Sequence, residues 1–238
     1  EKLGVEVAFG TDRCHQLEDP WGDHALPLHF ENPREAAESI ARELRGNPPD
    51  AILALGDRPT PAAAYAAQIF RIVGNPPEAA EACRNKLQQR KILKAAGIPV
   101  PKFFPVTMDE DISQVAAGAK YPCVLKPLHL AASQGVIRAD NPTEFVSAAD
   151  RIRSLLASPE IQVLREAGSD DLLVEEYISG EEVAIEGLLE QGRLRVLAIF
   201  DKPGPMEGPY FEETIYVTPS RLPPAMQSAL EECAARTV

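Results

Sequence analysis

The segment Tyr121–Asp140, YPCVLKPLHLAASQGVIRAD, sets a strand-like apolar run around one cation, Lys126, and follows it with a loop of small residues. Val124 and Leu125 precede the lysine and Pro127 and Leu128 follow it. An ammonium group in such a strand is costly unless an anion or a carboxylate answers it. The loop Leu130–Gly135 carries two alanines, a serine, a glutamine and a glycine, small enough for main-chain N–H groups to approach phosphate oxygens. Two readings follow. Lys126 is either an edge-strand lysine whose stem lies on apolar surface while its head reaches water, or the cation of a phosphate site.

Outward from this segment the chain keeps a mixed pattern. Downstream, "GVIRA" reads as a strand, and "NPTE" opens a helix near Asn141 with an Asn N-cap, a Pro at N1 and a Glu at N3. After Gly168 come the strand pattern "LLVEEYI" (172–178), then "EVAIEGLLE" and "LRVLAIFDK" joined across "QG" as a tight hairpin, and "EETIYVT" as a further strand. A helix is expected over 112–119. Upstream, 77–100 reads as a helical linker with Pro76 and Pro77 at its start and Gly97 as its C-cap. The first third alternates short strands, Val5–Phe9, Ala25–Phe30 and Ala51–Leu55, with helices near 34–45 and 60–70, the signature of a parallel α/β unit. Asp57 and Arg58, in the turn after the third strand, are expected as turn residues and salt-bridge formers. No G-x-G-x-x-G and no G-x-x-x-x-G-K-[ST] occurs, which removes the dinucleotide fingerprint and the P-loop.

Composition narrows the classes further. At 238 residues and 45% hydrophobic content the chain can bury a sizeable core. No apolar run reaches the roughly 18 residues of a spanning helix, and the first residues carry no secretory pattern; a cytoplasmic protein is expected. Cys14, Cys83, Cys123 and Cys233 lack C-x-x-C spacing and the four histidines are scattered, so neither a disulfide framework nor a zinc site is indicated. A net charge of −12 argues against nonspecific nucleic-acid binding, and an anionic ligand must be met by local cations. The start "EKLGVEVAF", with the end of a helix running into a strand, and the C-terminal helix "PPAMQSALEECAARTV", with no strand after it, lead us to expect a fragment.

The stretch "LLVEEYISGEEVAIEG" sharpens the phosphate reading. A strand emerging into Glu175, Glu176, Tyr177 and Ile178 can offer main-chain donors and acceptors to a flat base, with a carboxylate for an exocyclic amine, and Glu182 stands where a ribose could bond it. Glutamates alternating along a strand are otherwise its solvated face. Taken in order, "RNKLQQRKILKAAGIPVPKF", "YPCVLKPLHLAASQGV", "LLVEEYISGEEVAIEG" and "VLAIFDKPGP" resemble the ATP-grasp superfamily from about Asn85 onward. The resemblance is to its carbamoyl-phosphate synthase and biotin carboxylase-like branch, and within it to L-amino-acid ligase-type enzymes. It implies an α/β then α+β fold. A Rossmann-like pre-ATP-grasp domain would span 1–76, a helical linker 77–100, and an incomplete two-lobed ATP-grasp domain 101–238.

The same resemblance implies roles. Lys86 and Lys126 would contact phosphates, Ser133, Gln134 and Gly135 would form the mobile phosphate loop, and Glu175 would meet the adenine amine. Glu176, Tyr177 and Ile178 would border the base, Glu182 would hold the ribose, and Lys202 would reach the triphosphate unless it is an exposed hairpin lysine. ATP and a small carboxylate are the expected partners, with no nucleic acid and no membrane, and a homodimer is an open option. Mg2+ is the expected cofactor, with ligands beyond Val238; Glu212 and Glu213 lie near the site in this mapping without being assigned to the metal. The implied chemistry is ATP-dependent carboxylate–amine ligation through an acyl phosphate. The alternatives are a non-catalytic ATP-binding protein or a bicarbonate-using enzyme of the biotin carboxylase or carbamoyl-phosphate synthase kind.

Overall fold

The computed structural model describes residues 4–12, 25–165, 171–204, 207–211 and 215–238. The chain divides into two compact units, Glu1–Asn85 with Leu164–Ala167, and Lys86–Val163 with Gly168–Val238.

In the first unit β1 (Gly10–Thr11) and β2 (Leu26–Pro27) form a short parallel pair, followed by α1 (Pro33–Glu43), α2 (Thr60–Phe70) and α3 (Pro77–Arg84). Small side chains let α1 and α2 approach closely, with Ala36, Ala37, Ala62 and Ala66 all buried between or beneath them. The Tyr65 hydroxyl donates to Glu81 Oε1 at 2.8 Å, and the Arg34 guanidinium lies 4.5 Å from the centre of the Tyr65 ring. Arg58 forms an ion pair with Asp12 and donates to the Leu164 carbonyl at 3.0 Å, in line with its expected salt-bridge role.

The strands expected in this unit differ from those found. Residues 51–55 form none, Val5–Phe9 gives way to a two-residue strand at 10–11, and only 26–27 of the stretch Ala25–Phe30 pair. Leu53 and Leu55 are 87% and 81% exposed. A strand is stabilised by its neighbour across the ladder, and among the described residues no neighbour supplies one to 51–55.

The second unit begins with α4 (Lys86–Ala95), separated from α3 by Asn85 in extended conformation. Its main sheet has the order β3 (Phe103–Thr107), β6 (Asp171–Glu176), β4 (Cys123–Pro127), β5 (Ile137–Ala139), every neighbouring pair antiparallel. One face is covered by α5 (Ile112–Gly118) and α6 (Pro142–Leu156), where Leu125, Leu172, Val174, Phe145 and Ile152 form the core. α6 starts as its sequence dictates: Asn141 Oδ1 accepts from the Glu144 N–H at 3.0 Å, and Glu144 Oε2 accepts from the Asp140 N–H at 2.8 Å. The short α7 (Pro159–Gln162) follows.

A second, two-stranded sheet comes from the hairpin of β7 (Val183–Glu190) and β8 (Arg193–Asp201). Gln191 and Gly192 both have positive φ, 50° and 75°, as a tight two-residue turn requires. Residues 212–214 of the expected strand "EETIYVT" lie outside the described residues; further on, Val217 exchanges main-chain hydrogen bonds with Asp201. The chain ends in α8 (Pro224–Thr237). Among the described residues no helix is long and apolar enough to cross a membrane.

Candidate functional site

Strand alternation decides which side chains leave the core. Cys123 and Leu125 on β4, with Leu172 and Val174 on β6, point into the helix-covered core. Val124 and Lys126, facing Glu175 and Leu173 across the ladder, therefore lie on the other side of the sheet. β4 is an interior strand between β6 and β5, so Lys126 is not the edge-strand lysine of the first reading. Its ammonium is paired with Glu175 Oε2 at 2.5 Å.

Glu175 is the only charged residue found buried among those described, 2% exposed. Its second oxygen, Oε1, accepts from Arg90 Nε at 2.6 Å. Burial pushes this carboxyl up, but Lys126 and then Arg90 outweigh it and hold it below the usual glutamate range. The strand glutamates are thus not one solvated face: Glu175 is inside with two cations, while Glu176 accepts from the Lys102 N–H at 3.0 Å at the surface.

Arg90 was not among the residues the sequence pointed to. Its signal was present in "NKLQQR", where Arg90 follows Lys86 by four residues and so shares a helix face with it. Lys86 opens α4 and turns its ammonium onto main-chain oxygens where the small-residue loop begins, donating to the carbonyls of Leu130 and, at 3.5 Å, Leu128. Its own N–H donates to the Leu128 carbonyl at 3.1 Å. Arg90 and Lys126 thus share one carboxylate, while Lys86 is held by loop carbonyls.

The loop itself is a tight turn. The Gln134 N–H donates to Ala131 and the Val136 N–H to Ser133. Ala132, Ser133 and Gly135 have φ of 52°, 54° and 70°. Only glycine fits at 135, since a Cβ there would stand 2.8 Å from Pro127 Cγ.

At the exit of β6 the main chain is used up stepwise. The Glu176 N–H donates to the Lys102 carbonyl and the Tyr177 N–H to Pro122. Among the described residues neither the N–H nor the carbonyl of Ile178 has a main-chain partner, and this residue is 65% exposed. Tyr177 has two ring neighbours, the Arg138 guanidinium 4.2 Å from its ring centre and Phe211 stacked at 6.4 Å. On the hairpin, Glu182 and Lys202 meet each other, Oε1 to Nζ 2.5 Å, and the Lys202 side chain is only 9% exposed. The exposed-hairpin reading of Lys202 is therefore not what is found. Glu212 and Glu213 lie outside the described residues.

A loop with left-handed turns, cations gathered beside it and an open strand exit invites comparison with known proteins. Residues 119–238 match the ATP-grasp domain. The chain belongs to the ATP-grasp family. Its fold is also that of the family: the crystal structure of L-amino acid ligase from Bacillus licheniformis superposes with a TM-score of 0.79 at 29% identity, covering 100% of this chain and 56% of that one. By sequence the chain is similar to the ATP-grasp protein alanine–anticapsin ligase of Bacillus subtilis (strain 168), 28% identical over 98% of this chain and 52% of the relative. It is also similar to D-alanine–D-alanine ligase of Geobacter sulfurreducens, 30% identical over 48% of this chain and 32% of the relative. The chain thus spans about half, or less, of the length of these ATP-grasp proteins.

Proposed function

We propose that the protein is an ATP-dependent carboxylate–amine ligase whose nucleotide site lies in Lys86–Val238. In the reaction a carboxylate oxygen attacks the γ-phosphorus of ATP and the bond to the bridging oxygen breaks, releasing ADP and an acyl phosphate. An amine nitrogen then attacks the acyl carbon, loses a proton and displaces phosphate. Chemistry of this kind depends on alignment and on offsetting phosphate charge. The observation that carries the reading is the pair of cations, Arg90 and Lys126, on the one buried carboxylate of Glu175, with Lys86 on the Leu130 carbonyl at the start of the loop 131–135. In a chain of net charge −12, such a local excess is suited to an anion.

In this reading Lys86 and Lys126 contact phosphates, and Ser133, Gln134 and Gly135 close over them. Glu175 meets the adenine amine and the chain from Glu176 through Tyr177 to Ile178 borders the base; the open main chain of Ile178 supports this. Glu182 takes the ribose and Lys202 the triphosphate, so their mutual ion pair exchanges partners when nucleotide arrives. The first unit, with its parallel strand pair and α1 and α2, is read as the Rossmann-like domain preceding the ATP-grasp domain, over 1–76, with 77–100 as linker. Magnesium is implied by the family chemistry. Among the described residues no group of three acidic, His or Cys side chains could hold a metal.

The test is ADP release by the whole protein, offered pairs of amino acids and, separately, bicarbonate. ADP formed only with a carboxylate and an amine together is expected. ATP binding without ADP release from any pair would instead make it a non-catalytic ATP-binding protein. Lys126→Ala is expected to abolish ADP release while leaving the circular dichroism of the fold intact; wild-type turnover in that variant would sink the assignment.

A further inference from the structure

We infer that Arg90 is a positioning residue of the nucleotide site, acting on Lys126 through Glu175; the inference rests on the proposed ATP site. Arg90 Nε bonds Oε1 of Glu175 at 2.6 Å, and Lys126 Nζ bonds Oε2 at 2.5 Å, so each carboxylate oxygen has its own cation. A buried carboxylate with one cation gathers it tightly, and both partners are then neutralised. With Arg90 present the charge of Glu175 is shared, and the Lys126 ammonium retains positive charge for an incoming phosphate.

Geometry gives Arg90 a second task. It stands one helical turn from Lys86 on α4, so the helix that begins with one lysine of the site braces the strand pair that carries the other. The guanidinium is held on its own side as well, Nη1 donating to Gln89 Oε1 at 2.9 Å. A planar fork fixed in this way sets the orientation of the carboxylate, which a lysine at the same position would do less well.

The experiment measures ATP affinity by titration calorimetry and steady-state constants in the whole protein, for wild type, Arg90→Met and Arg90→Lys. Arg90→Met should weaken ATP about tenfold, the low end of what loss of an outer partner costs at metal sites, raising KM for ATP while leaving KM for the carboxylate unchanged. Arg90→Lys should recover part of that loss, and it serves in place of Arg90→Met if the latter fails to fold. In a Glu175→Gln background Arg90→Met should add no further loss, because Arg90 acts only through that carboxylate. A further loss there, or ATP affinity in folded Arg90→Met equal to wild type, overturns the role of Arg90 alone. A wild-type protein that binds no ATP overturns the proposed site and this inference together.

Discussion

Glu175 concentrates the electrostatics of the second unit in one carboxyl. Burial raises its proton affinity and two cations lower it further than burial raises it, so the folded value lies below the ordinary 4.5. A carboxyl depressed on folding contributes stability that is fully present above its unfolded value and is lost as pH falls through its folded value. Denaturant unfolding of the wild type should therefore show stability that is level on this account above about pH 4.5 and declines in more acid solution. Glu175→Gln, measured at the same pH values, should be less stable at neutral pH and show a shallower acid decline. An acid branch of unchanged slope would remove Glu175 from that account. How far this was legible in the sequence depends on distance along the chain. "EEYI" presents two adjacent glutamates, and strand period says only that they face opposite ways. Leu172 and Val174 entering the core put Glu175 on the opposite face of the sheet, and its burial there comes with Arg90 of α4 and Lys126 of β4. The Arg90 contact spans 85 positions, beyond any local pattern.

Elements whose signals are local were the ones that sequence reading located well. The helix over 60–70 is found with its expected bounds, the helix opening at Asn141 forms as its cap dictates, and the hairpin turns at Gln191 and Gly192. Asn141→Ala removes the acceptor of the Glu144 N–H and should lower stability by about 1 kcal/mol, seen as a reduced Tm with ATP affinity unchanged, since the cap lies on the core side of the sheet. An unchanged Tm would mean the cap is replaced by water at no cost. The strands of the first unit were misread for the opposite reason. Val5, Val7, Leu53 and Leu55 have strand-like alternation, but a ladder needs a partner at the right register, and alternation does not name the partner.

At the scale of the whole molecule, charge and site pull in opposite directions. The chain carries −12 overall, yet every residue proposed to meet phosphate is a cation or an uncharged residue of the second unit. Attraction of a polyanion then depends on a few local charges acting against a repulsive surround, and salt screens both. Close contacts within the site are screened less than the distant surface charges. We therefore expect ATP affinity at fixed Mg2+ to fall only about two- to threefold between 0.05 and 0.5 M KCl, while the association rate changes little or rises as distant repulsion is screened. Stopped-flow binding at the two salt concentrations checks this, and a steep fall in rate would mean that a long-range positive field dominates. Composition showed the repulsive surround; the local excess became visible only when β4, β6 and α4 brought Lys126, Glu175 and Arg90 together.

The loop over 131–135 holds two non-glycine residues, Ala132 and Ser133, in left-handed backbone. Each such residue costs on the order of 1 kcal/mol relative to ordinary conformations, and two turn hydrogen bonds, from the Gln134 and Val136 N–H groups, help to keep them there. The loop is thus a loaded spring resting on a light catch. In the proposed ATP site, a loop under such tension would reopen once phosphate leaves, so the backbone strain at Ala132 and Ser133 would shorten the time for which nucleotide is covered.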